Sequence, residues 1–119
     1  LTLAEYLYND GVSYAEGWNF GPNDIDAKPV SWIADMLSQQ WGNGASWSLD
    51  EAVNPHEANY LKLDISKAKH RLNWMPTLNI NQSLAMVVKW YQAYGQGADM
   101  QSIVLEQIKE YSVNLKSAK

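Results

Sequence analysis

The strongest constraint on the fold of this chain is a set of three segments in which apolar residues recur every three or four positions. That spacing places the apolar side chains on one face of an α-helix. It predicts helices over Pro29–Trp41, Gln82–Tyr94 and Met100–Tyr111, each with an apolar stripe that faces a core. The stripes are Val30, Ile33, Leu37 and Trp41 in the first, Ile80, Leu84, Val87, Val88 and Tyr91 in the second, and Met100, Ile103, Val104, Ile108 and Tyr111 in the third.

Residues that cap or end helices flank these segments. Gly42-Asn43-Gly44 follows the first, and Gly95 and Gly97 follow the second, where glycine tolerates the left-handed backbone common at helix ends. Asp99 is a predicted N-cap of the third helix, because a carboxylate accepts hydrogen bonds from the first backbone N–H groups.

Two shorter helices and three strands complete the sequence-based prediction. Leu1–Tyr8 is predicted to be the end of one helix, and Asp64 or Ser66 is predicted to cap another that runs to Leu72. Short alternating or turn-bounded runs predict strands at Gly17–Phe20, 46–50 and 60–63. The predicted fold class is therefore α+β, mostly helical with short strands. Three short strands form a poor sheet alone, so a partner domain is expected to be missing.

Charge and residue content exclude several classes of function. The net charge is −4, and no run of Lys or Arg offers a footprint for nucleic acid or an anionic membrane. There is no cysteine, and the two histidines share no metal-ligand spacing, so no disulfide or metal site is expected. No apolar stretch reaches the roughly 20 residues of a membrane span. These features favour a cytoplasmic protein, and a chain that begins at Leu1 rather than Met is expected to be a fragment.

Residues required for three common catalytic sites are missing. Gly42-Asn43-Gly44 lacks the third glycine and the Lys-Ser or Lys-Thr of a phosphate-binding loop. The segment Gly44-Ala45-Ser46-Trp47-Ser48 lacks the last glycine of a serine nucleophile turn. No tyrosine has a lysine four residues later, the pair that lowers a phenol pKa for proton transfer. Asp24 and Asp26 suit acid–base chemistry, but a turn before a helix N-terminus explains them more simply. No catalytic residue is predicted here.

Four motifs carry a resemblance to a known family. The pattern of a short strand ending in Asp, then Ser-Lys-Ala, then Leu-x-Trp-x-Pro resembles the C-terminal part of the extended short-chain dehydrogenases, which include the NAD-dependent nucleotide-sugar epimerases and dehydratases. The two central motifs resemble the CDP-glucose 4,6-dehydratases within that family. The motifs are Trp18-Asn19-Phe20-Gly21-Pro22, Asn54-Pro55-His56-Glu57-Ala58, Tyr60-Leu61-Lys62-Leu63-Asp64-Ile65-Ser66-Lys67-Ala68 and Leu72-Asn73-Trp74-Met75-Pro76.

The resemblance implies a longer parent enzyme, in which a Rossmann domain holds NAD and a smaller C-terminal domain closes over the nucleotide sugar. This chain would be the CDP-sugar-binding portion over residues 1–113, with a frayed tail at 114–119. The parent would oxidise the sugar at C4, eliminate water across C5 and C6, and return the hydride to C6. Its product, CDP-4-keto-6-deoxyglucose, would serve dideoxysugar synthesis for the O-antigen of surface polysaccharide. The resemblance also implies a homo-oligomer, and a Rossmann half upstream of Leu1, without which this chain is expected to be inactive and free of NAD.

The same resemblance assigns three substrate-binding residues. Glu57 stands where relatives have an acid that accepts hydrogen bonds from the nucleotide ribose. Asn54 stands where relatives often have an arginine that clamps the pyrophosphate, and asparagine lacks that charge, so His56 or an upstream residue is expected to replace it. Lys67 is expected to be a solvated helix residue rather than a phosphate ligand. The competing interpretation is that residues 54–57 form only a polar turn.

Three functional hypotheses remain open from the sequence. The chain is the C-terminal portion of a dehydratase, a stand-alone non-catalytic module that binds a nucleotide or a partner, or an unrelated helical interaction module whose motifs match by chance. The order of the motifs favours the first.

Overall fold

A computed structural model describes residues 1–50 and 62–117, with side chains described as far as residue 113. The described residues form five α-helices and a short 3-10 turn at Asp24–Asp26. They divide into two compact units, unit 1 (Leu1–Pro22 and Glu57–Pro76) and unit 2 (Asn23–His56 and Thr77–Lys119). The helices are α1 (Thr2–Tyr14), α2 (Val30–Trp41), α3 (Ser66–Leu72), α4 (Ile80–Gly95) and α5 (Met100–Ser117).

The three long helices predicted from apolar spacing are confirmed as α2, α4 and α5. Gly42 at the end of α2 and Gly97 after α4 act as predicted, with φ of 73° and 70°, whereas Gly95, predicted to follow the helix, is the last residue of α4 and has no positive φ. Asp99 also caps α5 as predicted, with Oδ1 accepting from the backbone N–H of Gln101 at 3.2 Å and Oδ2 accepting from the hydroxyl of Ser102 at 2.5 Å. α5 continues to Ser117, into the range expected to fray. The assignment of residues 1–113 to one portion with a frayed tail stays a prediction.

The first helix is longer than predicted. The break expected after Tyr8 is present as a kink at Asp10, whose φ of −150° and ψ of 62° are not helical, but the helix resumes and runs to Tyr14. α3 covers the predicted range and ends at Leu72. The carboxylate of Asp64 accepts from the backbone N–H of Ser66 at 2.8 Å, which supports the predicted role of Asp64 at this helix start.

The predicted strands are the main error. Residues 17–20 and 46–50, together with Lys62 and Leu63, form no strand in the described part of the chain. A strand needs a neighbouring backbone to complete its ladder of hydrogen bonds. The segment Trp18–Gly21 does lie beside Leu63–Ile65, but the hydrogen bond that joins them is donated by the Asn19 side chain. Alternation of apolar and polar residues therefore predicted strands where the described residues form none, and residues 60 and 61 of the third predicted strand lie outside the described residues.

The apolar stripes are only partly buried. In α2, Ile33 and Leu37 are half-buried while Val30 and Trp41 are exposed, and in α4 Leu84 and Val88 are buried. The remaining predicted stripe residues with large exposed fractions are Val87 (44%), Tyr91 (55%), Val104 (40%) and Ile108 (56%). A face that is apolar but exposed offers a contact surface to a further element.

Each unit has a small core of its own. In unit 1, Ala68 and Leu72 on α3 and Ile65 just before it are buried, and α3 packs against α1. In unit 2, α4 packs between α2 and α5, and Leu84 and Val88 form the buried centre. The described residues contain no helix that is long and apolar enough to cross a membrane.

Candidate functional site

The three substrate-binding residues predicted from the sequence, Asn54, His56 and Glu57, lie outside the described residues. Their roles therefore stay predictions. Of the other three motifs that carry the family resemblance, the first and the fourth are described in full and the third is described from Lys62 onward, and all three lie in unit 1.

The first and third motifs contact each other directly. The side-chain amide of Asn19 donates to the backbone carbonyl of Asp64 at 3.3 Å. A Cβ added to Gly21 would lie 3.4 Å from Cγ2 of Ile65 and 3.7 Å from Cβ of Leu63, which is van der Waals contact. These contacts hold the segment that enters α3 against the first motif. That segment begins six residues after Glu57 in the chain.

The fourth motif turns back onto α3 and onto the first motif. Asn73 ends α3 in the left-handed conformation with φ of 49°, which asparagine adopts more readily than most residues. The backbone N–H of Trp74 then donates to the carbonyl of Ala68 at 3.2 Å. The Trp74 ring meets Phe20 edge-on, with centroids 5.0 Å apart. The indole is thus a packing residue in unit 1.

Two cations on α3 converge on one carboxylate. Lys67 Nζ donates to Glu16 Oε2 at 2.6 Å and to the carbonyl of Gly17 at 2.9 Å. One turn later along α3, Arg71 Nη1 donates to Glu16 Oε1, and its Nη2 donates to the carbonyl of Ser13 at 3.0 Å. We call Glu16, Lys67 and Arg71 the ionic clamp, because they join the end of α1 to α3.

Aromatic rings form one side of the ionic clamp. Lys67 Nζ lies 4.7 Å from the centroid of the Trp18 ring, and Arg71 Cζ lies 5.2 Å from it and 5.5 Å from the Tyr14 ring. These are cation–π distances. The indole N–H of Trp18 donates to the carbonyl of Tyr14 at 3.0 Å, which fixes the ring.

The electrostatics of the clamp assign it a structural role. Hydrogen bonds from Lys67 and Arg71 hold the pKa of the Glu16 carboxyl below its usual value, so the carboxylate stays charged near neutral pH. Both cations already have anionic and carbonyl partners. Lys67 lies on a helix as expected and its side chain is 38% exposed, but it is also ion-paired, and this partner could not be found from local sequence, since Glu16 lies 51 residues earlier.

Asp26, one of the two acids considered for acid–base work, and Asp64, the predicted helix cap, both have structural contacts. The carboxylate of Asp26 accepts from the backbone N–H of Ile80 at 3.0 Å, which satisfies the first N–H group of α4. Asp64 beside α3 is held by Ser66, whose side chain and backbone hydrogen bonds lower the pKa of the Asp64 carboxyl. Both carboxylates stabilise helix starts.

Unit 2 contains an open cleft of about 510 Å³ beside α4. Its one ionisable lining group, Lys89, forms an ion pair with Glu106 at 3.1 Å. Amides from Gln92 and Gln96 line the same space, and the side-chain oxygen of Gln40 is buried without a hydrogen-bond partner. Apart from this paired lysine, the lining consists of amides and apolar side chains, which are not the groups of a nucleophile–base pair.

The described residues do not fit a dinucleotide or a metal ion. A dinucleotide site needs a glycine-rich turn between a strand and a helix, and the described part of the chain forms no strand. A Cβ added to Gly42, Gly44 or Gly97 would meet nothing within 4 Å, and all three have a positive φ, so turn geometry alone explains glycine at these positions. No three His, Asp or Glu residues in the described ranges cluster as metal ligands.

Comparison with known proteins gives one informative match. No family model matches the chain. The CDP-glucose 4,6-dehydratase of Salmonella typhimurium (strain LT2) is 45% identical over 111 residues, which is 93% of this chain. The chain spans about a third of that relative's length, since the match covers 31% of it. The resemblance that the four motifs predicted is therefore confirmed, and nearly the whole chain is similar to the C-terminal part of CDP-glucose 4,6-dehydratase.

Proposed function

We propose that this chain is the CDP-sugar-binding portion of a CDP-glucose 4,6-dehydratase, which converts CDP-glucose to CDP-4-keto-6-deoxyglucose. The single observation that carries the proposal is the 45% identity over 111 residues with the dehydratase. The three described motifs support it, because their contacts build the segment that leads from the predicted site into α3.

In this proposal the chain contributes binding and not chemistry. Glu57 accepts hydrogen bonds from both ribose hydroxyls. His56 donates to the pyrophosphate, because Asn54 has no charge with which to bind it. NAD and the proton-transferring tyrosine and lysine belong to a Rossmann half elsewhere in the parent. The proposed parent is a cytoplasmic homo-oligomer whose product enters dideoxysugar synthesis for surface polysaccharide.

The reaction itself is tested with the longer protein that contains this chain. Incubation with CDP-glucose should give a product that has lost one water and that takes up one deuterium at C4 on reduction with borodeuteride. UDP-glucose and dTDP-glucose are the control substrates that test whether the protein requires the cytosine base. If none of the three nucleotide sugars is converted although the protein still binds CDP, the result would favour a non-catalytic nucleotide-binding module.

The proposed site residues are tested by titrating CDP into the same protein by calorimetry. Loss of a hydrogen bond to a charged group costs roughly 1.5–3 kcal/mol, so Glu57→Ala should raise the Kd for CDP by about tenfold or more. His56→Ala should weaken binding more at low pH, where the imidazolium is populated. Glu51→Ala and His70→Ala are matched controls outside the motif. Unchanged affinity in both site variants would leave residues 54–57 as a plain turn.

A further inference from the structure

Helix α4 is covered by α5 along one side. The side-chain amide of Gln107 on α5 donates to the carbonyl of Met86 at 2.8 Å. Lys89, about one turn further along α4, forms its ion pair with Glu106 of α5. These contacts show that the side of α4 carrying Met86 and Lys89 faces α5.

A second side of α4 faces α2. The side-chain amide of Gln92 donates to the carbonyl of Trp41, the last residue of α2, at 3.0 Å. Leu84 and Val88 are 8% and 5% exposed and lie on this side of the helix. The two neighbouring helices therefore account for the buried residues of α4.

The remaining side of α4 is apolar and aromatic but exposed. It carries Val87, Trp90, Tyr91 and Tyr94, which follow each other at helical spacing and which we call the aromatic stripe. Tyr91 and Tyr94 are 55% and 63% exposed, and Val87 is 44% exposed. The rings are ordered against each other, because Trp90 stacks on Tyr94 at 5.4 Å and meets Tyr91 edge-on at 5.0 Å.

The charge pattern of α4 shows that this exposure is unusual for a surface helix. Lys89 is the one charged residue in the helix, and it faces α5. A surface helix ordinarily has charged residues on its outer face, whereas a helix that is apolar all round is buried. Loss of charge with enrichment in Tyr and Trp is the composition of the centre of an interface.

We propose that the aromatic stripe is an intramolecular interface, covered by the part of the longer parent chain that lies outside these 119 residues. This inference rests on the proposed function. The relative at 45% identity is about three times as long as the matched segment, so the parent holds ample chain to cover the stripe. The covering surface is uncharged and presents backbone carbonyls or other acceptors to the two tyrosine hydroxyls.

The test is hydroxyl-radical footprinting of the longer protein, read by mass spectrometry at Tyr91 and Tyr94. Both should be oxidised severalfold more slowly in the folded protein than in the same protein unfolded in urea, and the protection should persist on dilution to monomers. In addition, Tyr94→Lys should lower the thermal midpoint by several degrees, whereas Gln39→Lys on the exposed side of α2 should leave it unchanged.

Rapid oxidation of both tyrosines in the folded protein would overturn the inference, and so would protection that is lost on dilution, which would assign the stripe to a second copy. CDP-glucose dehydration is measured on the same preparation. An active preparation with unprotected tyrosines refutes this interface and leaves the proposed function intact. Protected tyrosines without turnover support the interface and count against the proposed function.

Discussion

The start of α4 offers a sharp test of how local side-chain contacts stabilise unit 2. The Asn79 side chain accepts from the backbone N–H of Gln82 at 2.9 Å, and the Gln82 side chain accepts in return from the backbone N–H of Asn79 at 2.9 Å. This reciprocal pair is a capping box. Asn79→Ala removes one of its two hydrogen bonds and leaves the N–H of Gln82 without its protein partner.

The expected cost is about 1 kcal/mol, within the roughly 0.5–2 kcal/mol found for loss of an N-cap side chain. The upper end is not expected, because Asn79 and Gln82 are exposed, so water can replace the lost acceptor. Asp26 still accepts from the N–H of Ile80, so the helix start keeps a second anchor. With a urea m-value of about 1–3 kcal/mol per molar, the unfolding midpoint should fall by about 0.3–1 M.

Asn81→Ala is the matched control, because it makes the same substitution two residues later, inside the first turn of α4. Alanine has a higher helix propensity than asparagine by up to about 0.7 kcal/mol, so this variant should be at least as stable as the unsubstituted protein. Urea unfolding followed by far-UV circular dichroism measures both. Equal shifts of the two midpoints in the same direction would refute the capping argument.

Three further outcomes are expected. Leu72→Ala should lower the free energy of unfolding by about 2–5 kcal/mol, because Leu72 is 2% exposed, whereas Leu105→Ala at 59% exposed should change it little in the same urea titration. Hydrogen bonds from Ser102 and from the N–H of Gln101 lower the pKa of Asp99, so its contribution is present above the unfolded carboxyl pKa of about 4 and is lost as the pH falls through the lower folded value. Asp99→Asn should therefore flatten the acid limb of stability against pH. Glu16→Gln should flatten the acid limb as well, because the pKa of Glu16 is also lowered in the folded protein. Lys109→Gln is the control and should leave the shape of the stability curve unchanged.

The helices could be predicted because their signals are local. Periodic apolar residues, a glycine at Gly42 and a capping carboxylate at Asp99 act within a few residues, and each was read correctly from the sequence. Burial was harder to predict, because a stripe of apolar residues does not say which neighbour covers it. Val88 is buried and Val87 is exposed, although both belong to one predicted stripe.

Contacts between distant segments could not be predicted. The sequence marks Lys67 and Arg71 as neighbours on a helix, but nothing local indicates that both bind Glu16. The carboxylate of Asp26 likewise serves α4, and not the nearer α2. The prediction of strands failed for the same reason, since strand pairing depends on a partner backbone that local alternation does not reveal.

The two compact units are interleaved along the chain, and this affects how the protein can be made or cut. Each unit consists of two stretches, with residues of the other unit between them. No continuous piece of the chain contains one unit alone, so a cut within Asn23–His56 divides both. During synthesis, unit 1 cannot close its contact between Glu16 and Lys67 until at least 51 further residues have followed Glu16, and Asp26 waits 54 residues for Ile80. Folding of both units therefore depends on closing long loops late, and the two should gain their stability close together in time.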